Sequence, residues 1–163
     1  MSVMRKALLW ASTNVWLRER AMRTGFVRRS VVKFMPGERV EDAIEAAREL
    51  KPSGLTTILT RLGENITRLE EADEVRAHYL KVLDLVQAAG LDAQVSVKPT
   101  QLGFDQDKEV CVKHCLDLLD KCLATNNFLW FDMESSPYVD GTIALFRRLD
   151  DIEQDLYLDT HRP

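Results

Sequence analysis

The chain has 163 residues, 45% hydrophobic and 29% charged, with a formal net charge of −4. That is long enough for one domain with a sizeable core, and its composition is that of an ordinary globular protein. A pI near 5.4 argues against a nucleic-acid partner, and no apolar run approaches the roughly 18 residues of a membrane span.

The charge is uneven. Residues 1–37 hold eight Lys or Arg against the single acid Glu19, so this basic N-terminal arm carries +7 and the remainder −11. Its apolar spacing is helical. Such an arm can pack on its own acidic domain, touch anionic lipid, or mark a mitochondrial transit peptide. The apolar patch from Ala7 to Trp10 is too short for a secretory h-region. The three cysteines, Cys111, Cys115 and Cys122, make an odd count that argues against a disulfide framework. A cytoplasmic location is expected, with peripheral membrane contact an option and a mitochondrial location less favoured.

From Glu38 the element types alternate. Glu38 to Leu50 reads as an amphipathic helix, with Val40, Ala43, Ile44, Ala47 and Leu50 on one face, ended by Pro52, Ser53 and Gly54. Leu55 to Thr60 suits a buried strand. Arg68 to Ala89 is a long helix with Leu69, Ala72, Val75, Val82 and Val86 inward, and Gly90 supplies the left-handed cap. Ala93 to Val97 is the second strand, with Lys98 at its end and Pro99 stopping it. Asp105 or Asp107 caps a third helix reaching about Thr125, with Cys111, Cys115, Leu118, Leu119 and Cys122 on its apolar face. Phe128 to Phe131 is the third strand, including Trp130 as a packing residue. A last helix opens at Ser135-Ser136-Pro137 and runs through Val139, Ile143, Phe146 and Leu149. Leu156-Tyr157-Leu158 is a weak candidate for a fourth strand.

Short apolar strands between amphipathic helices imply a parallel sheet covered by helices. A doubly wound sheet and a (β/α) barrel both fit, but no glycine fingerprint of a dinucleotide-binding domain follows any strand. A complete barrel needs eight strands and about 250 residues. On length alone the expectation is α/β, an incomplete barrel or a small open sheet. A basic helical arm (1–37) precedes three βα units (38–149), with a fourth left open, and a divergent tail (150–163) follows.

In parallel α/β folds the chemistry gathers at the carboxyl ends of strands. Those ends carry Thr60, Arg61 and Glu64, then Lys98, Thr100 and Gln101, then Asp132, Glu134, Ser135 and Ser136. Lys98 can bind a carboxylate as a point charge, form a Schiff base, or simply reach water. Asp132 can accept a proton, cap a helix, or pair with Arg61. Cys111, His114 and Cys115 do not make a closed four-ligand site, so no metal is expected there.

Three of these stretches carry a family resemblance. Gly54 to Asn65, with Leu62-Gly63-Glu64, then Val95-Ser96-Val97-Lys98-Pro99-Thr100-Gln101-Leu102-Gly103, then Phe131-Asp132-Met133-Glu134, resemble in order the first three strand ends of proline dehydrogenases. The likeness runs from about residue 4 to 149. It implies a partial (β/α)8 TIM barrel and an FAD-dependent oxidation of L-proline to pyrroline-5-carboxylate in proline catabolism, with a quinone as acceptor. Lys98 would then bind the substrate carboxylate, and Asp132 would be an active-site residue. Met133 would contact the flavin through its backbone, and Arg61 and Glu64 would help close the site. Most flavin contacts and the arginine pair that clamps the substrate belong to the family's later strands, and Arg147 and Arg148 are not that pair. The chain is thus expected to be a truncated, inactive fragment that aggregates or self-associates through its open sheet edge. A non-catalytic half-barrel and a Schiff-base lyase using Lys98 are the alternatives.

Overall fold

A computed structural model describes Arg20, Gly37, residues 39–63 and residues 66–160, with side chains described as far as residue 152. The arm at 1–37 lies almost wholly outside these residues, as does Glu64. Two compact units divide the chain, Met1–Ala46 and Ala47–Pro163. Helix α1, Val40–Leu50, spans the boundary between them. Its start is set by Asp42, whose carboxylate accepts a bond from the Arg39 backbone N–H at 3.2 Å.

The second unit carries the sheet. A 3-10 turn at Lys51–Ser53 closes on Gly54 with φ +69. Then follow β1 (Thr57–Thr60), α2 (Leu69–Ala88), β2 (Ala93–Val97), a 3-10 turn at Pro99–Leu102, α3 (Lys108–Ala124), β3 (Leu129–Phe131), a 3-10 turn at Ser136–Tyr138 and α4 (Val139–Thr160). The end of α2 is set by Gly90, φ +58. There the Leu91 N–H reaches back to the Val86 carbonyl at 3.1 Å, a left-handed cap that turns the chain into β2. Asp107 caps α3, accepting from Glu109 N at 2.9 Å and Val110 N at 3.2 Å.

The three strands pair in the order β1-β2-β3, all parallel. Parallel neighbours require crossovers, and α2 and α3 are those crossovers. The register aligns Thr60 with Ser96, Ser96 with Trp130, and Val97 with Phe131. Strand side chains alternate between faces, so Ala93, Val95, Val97 and Leu129 share one face. They are buried with Val75, Tyr79, Val82, Leu83 and Val86 of α2 and Cys111, Cys115, Leu118 and Cys122 of α3. The cysteine stripe is thus part of the core.

Several expectations need correction. Leu156-Tyr157-Leu158 is no strand: these residues continue α4, which runs unbroken to Thr160. No glycine or proline interrupts the chain between Gly141 and Thr160, so nothing turns it back toward the sheet. In the same helix Thr142, Leu145 and Leu149 face inward, while Ile143 and Phe146 are exposed, Phe146 at 57%. Phe146 meets the Phe131 ring edge-on at 6.2 Å, on the side of β3 where no further described strand stands. Trp130 is 44% exposed rather than packed, because its register position points away from the helices. Leu55, Thr56 and Phe128 lie just outside their strands.

Candidate active site

Lys98 and Asp132 each follow directly on the paired residues Val97 and Phe131. The Asp132 N–H extends that ladder by donating to the Val97 carbonyl at 2.9 Å. By alternation both belong to the face of Thr60, Ser96 and Trp130, away from the helices and at the carboxyl ends of adjacent strands. The Asp132 carboxylate accepts a hydrogen bond from the Ser96 hydroxyl. It makes no ion pair with Arg61. Hydrogen bonds between these neighbouring strands thus tie β2 to β3 at the mouth.

The loops after β2 and β3 are tied together. Glu134 accepts from the Thr100 hydroxyl at 2.6 Å and from the Thr100 N–H at 3.2 Å. One carboxylate holding both groups of one residue fixes the two loops relative to each other, each charged bond contributing about 1.5–3 kcal/mol where water is excluded. The loop after β1 is held from two other elements. Its Arg61 N–H donates to the Tyr79 hydroxyl at 2.9 Å, and that hydroxyl donates to the Ser96 carbonyl at 2.8 Å. The Gln101 side-chain amide donates to the Gly63 carbonyl and, at 3.5 Å, to that of Arg61. Gly63 sits at φ +140, a conformation suited to glycine, and so permits the turn. Met133 projects into solvent at 56% exposure, one residue beyond Asp132.

Electrostatics follow burial. The Tyr79 phenol is held above its ordinary value, first by burial, so it stays a donor well into the alkaline range. His78 is pushed down, chiefly by burial and then by the neighbouring Arg61 and Lys81 cations. The structure brings Lys98, Asp132, Met133 and Arg61 to one end of the sheet; Glu64 lies outside the described residues.

Sequence reasoning missed Ser96 and Tyr79. Ser96 stands two residues before Lys98, so it shares that residue's face, and a hydroxyl between Val95 and Val97 was the signal. Tyr79 follows Val75 by one helical turn on the buried face, where a phenol must find a partner. A hollow of about 460 Å³ lies at the opposite end of the sheet, lined by Gly90, Asp92, Gln94, Asn126 and Phe128. Its lining holds side-chain amides and the Asp92 carboxylate but no Lys, Arg or His, and in (β/α) architectures the amino end serves stability.

Likeness to known proteins fits this geometry. Proline dehydrogenase 1 of Bacillus subtilis subsp. natto is 26% identical over 90% of this chain and 48% of its own length. The proline dehydrogenase of Deinococcus radiodurans is 29% identical over 72% of this chain and 39% of its own. The chain therefore spans about half the length, or less, of the curated relatives it matches. No family profile matches it. Among solved structures, proline utilization A from Bdellovibrio bacteriovorus, inactivated by N-propargylglycine, superposes with a TM-score of 0.67 at 18% identity. That likeness covers 76% of this chain and 15% of the other, and concerns the fold. The resemblance to proline dehydrogenases read from the sequence is borne out.

Proposed function

We propose that this chain supplies three strands and the corresponding wall of a proline dehydrogenase site, in a flavin-dependent oxidation of L-proline to pyrroline-5-carboxylate. One observation carries the reading: Lys98 and Asp132 stand next to each other at the carboxyl ends of parallel strands, on one face. In this reading the Lys98 ammonium attracts the substrate carboxylate. Asp132, oriented by Ser96, borders the substrate and keeps a fixed negative charge beside it. Arg61, and Glu64 in the following loop, close the mouth.

The residues present fit one part of an FAD. Trp130 and Met133 offer an accessible apolar ledge beside Asp132, and the backbone at 133–134 can contact a ring edge. Among the described residues no loop cradles its phosphates, so the rest of its binding would fall to later strands. When bound, a flavin supplies the acceptor for the substrate hydride. The protein's part is to bind and orient the amino acid and to exclude water. A quinone acceptor, and contact of the basic arm with a membrane surface, complete the proposal. No described helix is long and apolar enough to cross a membrane.

The test is direct. The purified chain is titrated with L-proline while amide resonances are followed, and with FAD while flavin fluorescence is followed; proline-dependent dye reduction is then assayed. Proline should shift the Lys98 and Asp132 resonances, and Lys98→Met should abolish that shift. Catalysis should be absent, because three strands provide one wall only. Turnover by the chain alone overturns that last statement, and proline-insensitive resonances overturn the site.

A second reading rests on a different observation. Ile58 (54% exposed) and Trp130 present apolar surface on the uncovered face of the sheet, with Phe128 exposed beside them and Phe146 at the β3 edge. Such a surface suits a second copy of this chain, forming a half-barrel pair. Sedimentation of a discrete dimer without flavin would favour it.

A further inference from the structure

We propose that Tyr79 and Gln101 are positioning residues that clasp the Arg61–Gly63 segment onto β2 and so hold one wall of the site in place. That the segment is a site wall rests on the function proposed above; the clasp itself rests on geometry alone. Tyr79 is 1% exposed and Gln101 3%. They come from α2 and from the turn after β2, and converge on three backbone groups of one loop: the Arg61 N–H, the Arg61 carbonyl and the Gly63 carbonyl. A strand-end loop left to itself would turn these groups to water. Here each is met by a buried side chain, and the same Tyr79 hydroxyl also binds the carbonyl of Ser96, whose own hydroxyl holds Asp132. Loop, strand and carboxylate are thereby linked through one residue. The amide of Gln101 has a single orientation compatible with two carbonyl partners, and its own oxygen is left without a partner. That cost is accepted only if holding the loop offsets it.

The clasp makes a prediction that ordinary core packing does not. Tyr79→Phe keeps the ring and removes only the hydroxyl; Gln101→Met keeps the volume and removes only the amide. In the full chain at neutral pH, hydrogen exchange at the Arg61 amide should accelerate about tenfold in Tyr79→Phe, the size of one buried hydrogen bond. The amides of Val95 and Val97 should keep their rates. Gln101→Met should broaden or shift the Gly63 and Arg61 resonances and leave β2 unmoved. In both variants the midpoint for L-proline, read at the Lys98 and Asp132 amides, should rise about threefold or more. Unchanged exchange at Arg61, or equal acceleration across the sheet in both variants, overturns the clasp. A parent chain whose resonances ignore L-proline while Arg61 still responds to Tyr79→Phe overturns the site assignment instead.

Discussion

The two faces of the three-stranded sheet obey different rules. On one face, Ala93, Val95, Val97 and Leu129 are sealed beneath α2 and α3. On the other, exposed Ile58 and Trp130 alternate in rows with Thr60 and Ser96, and the line ends at Lys98 and Asp132. The first face is specified by hydrophobic burial within this chain. The second is specified by hydrogen bonds at its carboxyl end and leaves its apolar part uncovered by any described residue. The buried core and the candidate site residues are thus separated onto opposite sides of the same strands, and mutations should sort accordingly.

The largest effect tests that separation. Leu83→Ala removes a fully buried side chain from the covered face and should cost about 2–5 kcal/mol in urea unfolding. Trp130→Ala removes a larger side chain from the open face and should change stability by no more than about 1 kcal/mol. It should also reduce association seen by light scattering. Equal costs would mean that the open face is covered after all, and the comparison would break.

A close approach on the covered side comes next. A Cβ on Gly141, at the start of α4, would lie 2.7 Å from Cζ of Phe104 and 3.2 Å from its Cε1. Gly141→Ala should cost about 1–3 kcal/mol by overpacking. Adding Phe104→Leu should return part of that loss, because the colliding atoms are gone. A strictly additive double variant would place the strain elsewhere.

These contacts also mark where sequence patterning stops. Periodicity found α2, β2 and α3 because each buries a regular stripe against its immediate neighbours, and the cysteines fell on that stripe. It found Lys98 and Asp132 because strand ends concentrate polar residues. It could not find the Tyr79 hydroxyl or the Gln101 amide in their roles: both bind backbone groups 17 to 40 residues away, and no local spacing encodes that. It took Trp130 for a packing residue, but an apolar side chain in a strand says only that a face wants cover, not that cover is present.

Alkaline pH should probe the covered face selectively. Burial raises the Cys122 thiol to about 11, and Cys115 is also raised, by its bond to Cys111 and by burial. The Tyr79 phenol is raised as well. All three are acids whose neutral form is favoured in the folded state. Their contribution is therefore complete below the unfolded values, near 9 for the thiols and 10 for the phenol, and declines as pH rises through the folded values. Unfolding by urea should need progressively less denaturant above about pH 9. Tyr79→Phe should remove the part of the slope that begins near pH 10. A profile flat to pH 11 would show that these groups are not shielded as described.

Asp107→Ala should have a smaller effect, about 1 kcal/mol, since the residue satisfies two free N–H groups at the start of α3. The smallest should come from Arg148→Met. Its guanidinium grips Glu109 with two bonds, at 2.7 and 2.6 Å, and so ties α4 to the first turn of α3. The geometry is favourable, and the pair holds the Glu109 carboxyl below and the Arg148 cation above their ordinary values. Yet both side chains stand largely in solvent, where water screens the attraction and ordering two long side chains offsets most of the gain. The denaturation midpoint in 0.15 M salt should be unchanged by Arg148→Met, and a small loss should emerge only at low ionic strength. A large loss that persists at high salt would mean that α4 depends on this pair rather than on Leu145 and Leu149, and that the apolar seal of the covered face stops short of the last helix.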